Sequence, residues 1–181
     1  LIKRELRIKK TKEELYESYR YLSKETRERL DLTVPIPVYI QDPWVAQENP
    51  DLGVEEIPVK WEPGLLNGPT NARFAVVDYN GDTGKLTPPV AWDNGQFCFT
   101  EPGGKPITKE DAQSLHFHQL NVWAIVQRVL EFYEDAFALG RPIPWGFEGN
   151  RLIVVPHAGY GENAFYDRHS QSLQFYYYGE P

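Results

Sequence analysis

Residues 151–179 read RLIVVPHAGYGENAFYDRHSQSLQFYYYG, and this stretch decides the fold class. Arg151–Pro156 is a short β-branched run closed by a proline, which predicts a strand. Asn163–Tyr166 and Ser172–Tyr178 predict two more, and the DRHSQ between them has the length and composition of a hairpin turn. Immediately upstream lies ITKEDAQSLHFHQLNVWAIVQRVLEFYEDAFALG, residues 107–140, which has helical rather than strand periodicity. Val122, Val126, Val129, Leu130, Tyr133 and Phe137 fall on one predicted face, and the segment is apolar enough to predict a largely buried helix. Thr108 with Asp111 offers a capping pair, Gly140 and Pro142 a stop, and a break is expected near His116–Gln119.

Working back toward the N-terminus, residues 31–107 change texture. Prolines and glycines punctuate short apolar runs at Ile36–Ile40, Arg73–Tyr79 and Gln96–Phe99, which predicts a β-rich, irregular half. Asn80-Gly81 begins a turn, with Lys85–Pro88 returning as a hairpin. Residues 1–30 predict a polar, basic helix or linker, with Leu15, Tyr19 and Leu22 as its thin apolar stripe. The expected organisation is therefore that helix, 1–30, followed by a single α+β domain over 31–181.

Composition narrows the function classes. Residues 1–30 carry ten Lys/Arg and six Glu, a balance of +4, while the remainder carries nine basic and twenty acidic residues, a balance of −11. An acidic body repels phosphate, so no nucleic-acid partner is expected, and no membrane partner is expected from a chain lacking a long apolar run. The single Cys98 excludes an internal disulfide framework and a cysteine-based zinc knuckle. The charged N-terminus does not read as a signal peptide, and the absence of methionine leads us to expect a piece of a longer protein.

No nucleophile elbow, phosphate-binding loop, dinucleotide fingerprint or HExxH occurs. His116 and His118 would share a face on a strand but diverge on a helix, which argues against a chelating pair. His157 reads first as a hydrogen-bonded structural histidine and His169 as a solvated turn residue. The carboxylate pairs Glu55–Glu56, Glu110–Asp111 and Glu134–Asp135 read as solvated surface.

One segment is more specific. Tyr160, Asn163, Ala164, Phe165 and Tyr166, then Phe175, Tyr178 and Gly179, resemble the strand pair ahead of the zinc-binding helix in thermolysin-like metallopeptidases, the gluzincins. The resemblance is close over 151–179 and loose over 71–179, where a helix ending in an acidic and aromatic cluster precedes the strands. It implies the β-rich N-terminal lobe of such an enzyme, packed on one long buried helix. It also implies that Asn163 and Ala164 clamp an extended peptide or protein substrate on an edge strand, with Phe165, Tyr166 and the nearby His157 shaping the cleft. Zinc, the HExxH ligands and the glutamate base would belong to the parent's C-terminal half, so no cofactor is expected here and this chain alone is expected to be inactive. Two rivals stand beside this reading. One is a non-enzymatic peptide- or glycan-binding module built on aromatics such as FYYY at 175–178; the other is a scaffold lobe that docks a partner through its basic helix.

Overall fold

The computed structural model describes residues 33–62 and 64–178, so the helix expected over residues 1–30 lies outside the described residues. The architecture is α+β. A four-stranded sheet has the order β3-β8-β10-β9, with β3 (Phe74–Val76) parallel to β8 (Leu152–Val155) and β8 parallel to β10 (Ser172–Phe175). Strand β9 (Ala164–Asp167) closes the order antiparallel to β10 and is an edge. A separate antiparallel ribbon joins β1 (Thr33–Tyr39) to β2 (Val54–Lys60), with the short helix α1 (Pro43–Glu48) between them. Both strands of a two-stranded ribbon are edges, which is why Pro35, Pro37 and Pro58 are tolerated within them. Two small hairpins complete the β half: β4 (Tyr79–Asn80) with β5 (Lys85–Leu86), and β6 (Ala91–Asp93) with β7 (Cys98–Thr100).

The long helix α2 spans Leu115–Glu134 and packs on β1, β2 and β3. Its core-facing residues Phe117, Leu120, Trp123 and Ala124 meet Val34, Ile36, Val38 and Val59 of the ribbon and Phe74, Val76 and Val154 of the sheet. The capping pair forms as expected, but on a separate 3-10 turn, Lys109–Asp111. The helix proper is started by Ser114, whose Oγ accepts from the Phe117 N–H at 3.0 Å. The break therefore falls upstream of His116–Gln119.

Two expectations about this helix are corrected. Its buried face is Phe117, Gln119, Leu120, Trp123, Ala124 and Gln127, about a third of a turn from the expected stripe. Val122, Val126 and Leu130 are only half-buried, and Val129, Phe132 and Tyr133 are exposed, so the C-terminal half is not buried all round. Two of the six buried positions, Gln119 and Gln127, are polar, so hydropathy does not mark this face. Nor is Glu134 solvated surface: it pairs with Arg73 at 3.0 Å and accepts from the Ile143 N–H at 2.6 Å.

The helix packs on one face of the sheet at its β3 side. On the other face Val77, Tyr79, Ile153, Val155, Ser172, Gln174 and Tyr176 line an open groove of about 400 Å³. No helix among the described residues is long and apolar enough to cross a membrane.

Candidate functional site

The outer edge of β9 and the loop that delivers it form the candidate site. The register places Ala164 opposite Phe175 and Tyr166 opposite Leu173. Tyr176 N–H donates to the Asn163 carbonyl at 3.0 Å, so the hydrogen-bonded pairs run through Asn163, Phe165 and Asp167. Ala164 and Tyr166 consequently direct their backbone N–H and C=O groups away from β10, into the open. Asn163 Oδ1 accepts from the Ala164 N–H at 2.9 Å, and its Nδ2 has no partner among the described residues. Asn163, Ala164, Phe165 and Tyr166 are all exposed, so the structure gathers these four expected site residues on one edge.

Each face of the edge carries aromatic rings. Phe165 stacks on Tyr176 at 5.6 Å on the open face of the sheet. On the other, Tyr166 stacks on Phe147 at 6.4 Å, Phe147 lies parallel to Trp145 at 5.9 Å, and the Arg73 guanidinium sits 4.7 Å over Trp145. At the turn, Asp167 accepts from the Ser170 N–H at 3.0 Å and its hydroxyl at 2.6 Å, which fixes the hairpin.

The loop between β8 and β9 is tied down along its length. Ala158 N–H donates to Phe175 O at 2.8 Å, Gly161 N–H to Tyr177 O at 2.9 Å, and Tyr177 N–H to Gly159 O at 3.0 Å. A side chain on Gly159 would meet Asp82 Oδ2 at 2.9 Å, and that carboxylate already accepts from the Tyr160 N–H. Close approach, rather than unusual torsion, requires the glycine here.

His157 opens this loop but does not stand with the edge residues. Its Nδ1 lies 2.8 Å from Asp78 Oδ1 and its Nε2 lies 2.9 Å from His118 Nδ1. His118 Nε2 in turn lies 3.1 Å from the Ala112 carbonyl. Asp78 is buried, and its Oδ2 accepts from Gln119 Nε2 at 3.1 Å. Burial would raise the Asp78 carboxyl, yet the hydrogen bond and charge of His157, with donors from Gln119 and Thr87, hold it below the usual carboxylate range. Burial, reinforced by the charge of His157, pushes His118 below the ordinary imidazole range against the opposing pull of Ala112 and Asp78.

No family model matches this chain, and no curated protein or solved structure matches it.

Among the described residues no group of three or more His, Cys, Asp or Glu is placed to hold a metal ion, and both ring nitrogens of His118 and of His157 have hydrogen-bond partners. His116 turns away from His118, as two residues along a helix require, with Nε2 buried and unpartnered among the described residues. Sequence reasoning missed Asp78, His118 and Gln119 as one network with His157, and it missed Trp145 and Phe147 beside the edge. The one local signal was an acid, Asp78, directly after the apolar run Phe74–Val77.

Proposed function

We propose that this chain is the substrate-binding lobe of a thermolysin-like zinc metallopeptidase, holding an extended peptide as an added strand on β9. The observation that carries the reading is the edge among the described residues: the Ala164 carbonyl and both backbone groups of Tyr166 point outward from the last strand of a four-stranded sheet, while the Ala164 N–H is held by Asn163 Oδ1. Ala164 is small where a second backbone must approach, and Asn163 Nδ2 stands ready to donate to a peptide carbonyl. Side chains of the added strand would alternate between the Phe165–Tyr176 rings and the Tyr166–Phe147–Trp145 row. Zinc and the hydrolytic step belong, in this reading, to a companion lobe, and no step is assigned to this chain.

The test is a titration of the 15N-labelled chain with a blocked extended pentapeptide. Shifts confined to residues 163–167 and their β10 partners are expected. Tyr166→Pro removes an outward N–H while sparing the bonds to β10, and it should weaken binding at least about tenfold, the loss of roughly one well-made hydrogen bond. Equal affinity in that variant would overturn the reading.

The aromatic row supports a second reading, a non-enzymatic module for glycans, because Trp145 and Phe147 lie only 7° from parallel. A soluble oligosaccharide that quenches Trp145 fluorescence without moving the β9 amides would favour it.

A further inference from the structure

The hydrogen-bond chain Ala112–His118–His157–Asp78 has a proton count that its geometry fixes. The Ala112 carbonyl can only accept, so His118 Nε2 carries a proton. The 2.9 Å contact between His118 Nδ1 and His157 Nε2 needs a second, and the 2.8 Å contact between His157 Nδ1 and Asp78 Oδ1 needs a third. Two neutral imidazoles beside a carboxylate hold only two protons. The intact chain therefore contains one extra proton, shared within the histidine pair and balanced by Asp78.

From this count we propose that His118, His157 and Asp78 form a proton-dependent latch that fixes the start of the β8–β9 loop to helix α2. Removing the extra proton as pH rises leaves two ring lone pairs facing each other, and the contact opens. Adding a fourth proton at acid pH sets two N–H groups against each other, and it opens again. The latch is closed only between these limits.

Other groups surround the pair on every side. Asp78 comes from the link after β3, and Gln119 is beside His118 on α2. Lys85 and Thr87, in and after β5, and Asn80 of β4 line the same cavity of about 380 Å³ as His157. The Tyr177 ring lies 6.3 Å from His157, and the Tyr39 ring lies 6.3 Å from His118. Among these, Asp78 is the one carboxylate and Lys85 the one other cation. When the latch opens, the segment from His157 to Asn163 loses the His157 tie to α2, while its bonds to the β4–β5 hairpin, to Phe175 of β10 and to the residues after β10 remain.

Asp78→Asn separates a latch from a merely structural contact. An asparagine Nδ2 in place of Oδ1 donates to a bare His157 Nδ1, while its Oδ1 still accepts from Gln119. His157 Nε2–H then donates to His118 Nδ1, and His118 Nε2–H to Ala112. Every contact is satisfied with both rings neutral, so the variant latch has no extra proton to lose.

The experiment uses the full 15N-labelled chain without peptide, across pH 5 to 9. Long-range ring spectra count the histidine N–H groups, and hydrogen exchange gives protection factors, corrected for intrinsic rates, at Ala158 and Gly161. Three ring protons with protected loop amides are expected at the lower end. With rising pH one ring proton should be lost together with at least a tenfold fall in protection, while Asp78→Asn stays flat. Protection that does not change with pH in the wild type, or the same profile in Asp78→Asn, would overturn the proposal. If Asp78→Asn fails to fold, the wild-type ring count decides alone: two ring protons wherever the loop is ordered would overturn it. That the latch tunes strand addition at β9 rests on the function proposed above. The spectra contain no peptide, so a failure of either idea leaves the other standing.

Discussion

Gln119, fully buried on helix α2, accepts the Val90 N–H on its Oε1 at 3.0 Å. Its Nε2 reaches Asp78 Oδ2 at 3.1 Å and Pro88 O at 3.2 Å, so one amide joins three parts of the chain. Gln119→Leu keeps the volume but strands Val90 N–H and one oxygen of Asp78 in the core. Each orphaned buried group costs about 1–3 kcal/mol, so the expected loss is roughly 2–4 kcal/mol in a urea titration. A change below the error of that titration would mean the network contributes nothing to stability.

Glu62 should be a liability at neutral pH. Burial and the nearby charges of Glu131 and Glu134 raise its carboxyl above the ordinary range, against the Ala72 N–H and Arg73. A raised carboxyl binds its proton more tightly when folded, so its ionisation opposes folding above that pH. Glu62→Gln is expected to raise the Tm at pH 7 and to lose that advantage below about pH 4, where glutamate is already protonated. Thermal melts at the two pH values check the sign.

Asp78 behaves in the opposite sense. Its folded carboxyl is held low, so its contribution is complete above about pH 4 and fades as pH falls through the folded value. The stability difference between wild type and Asp78→Asn should therefore shrink steadily in acid. Parallel denaturation curves from pH 6 to pH 2.5 measure it, and a constant difference would contradict the assignment.

Arg73 pins the end of helix α2 to the sheet through Glu134, each side chain being 23% exposed. Glu134→Ala removes both this pair and the acceptor for the Ile143 N–H. Allowing for solvent screening, the expected cost is about 1–2 kcal/mol. Glu134→Gln, which still accepts from Ile143, should lose less, and its deficit should be the less salt-sensitive of the two.

Much of the β half was legible because local chemistry announces it. RLIVVP became β8, and the DRHSQ turn joins β9 to β10. Tyr79–Asn80 pairs with Lys85–Leu86 where Asn80-Gly81 marked a turn. Strand β2 escaped notice because Glu55, Glu56 and Pro58 interrupt its apolar residues, and only pairing with β1 makes it a strand. The helix face was misjudged because Gln119 and Gln127 are buried, and tertiary partners rather than hydropathy hold Gln119 there. The four edge residues could be read as a group because they are consecutive. The proton chain could not, since His118 and His157 lie 39 residues apart and Asp78 and His157 lie 79 apart.

Among the described residues the sheet wears its helix on one side only. Heat capacity of unfolding grows with the apolar area that folding hides from water. With Val77, Ile153 and Val155 lining an open groove, that face of the sheet adds little to this heat capacity. Anything that settles on that face would announce itself calorimetrically, as a sharper arch of free energy against temperature.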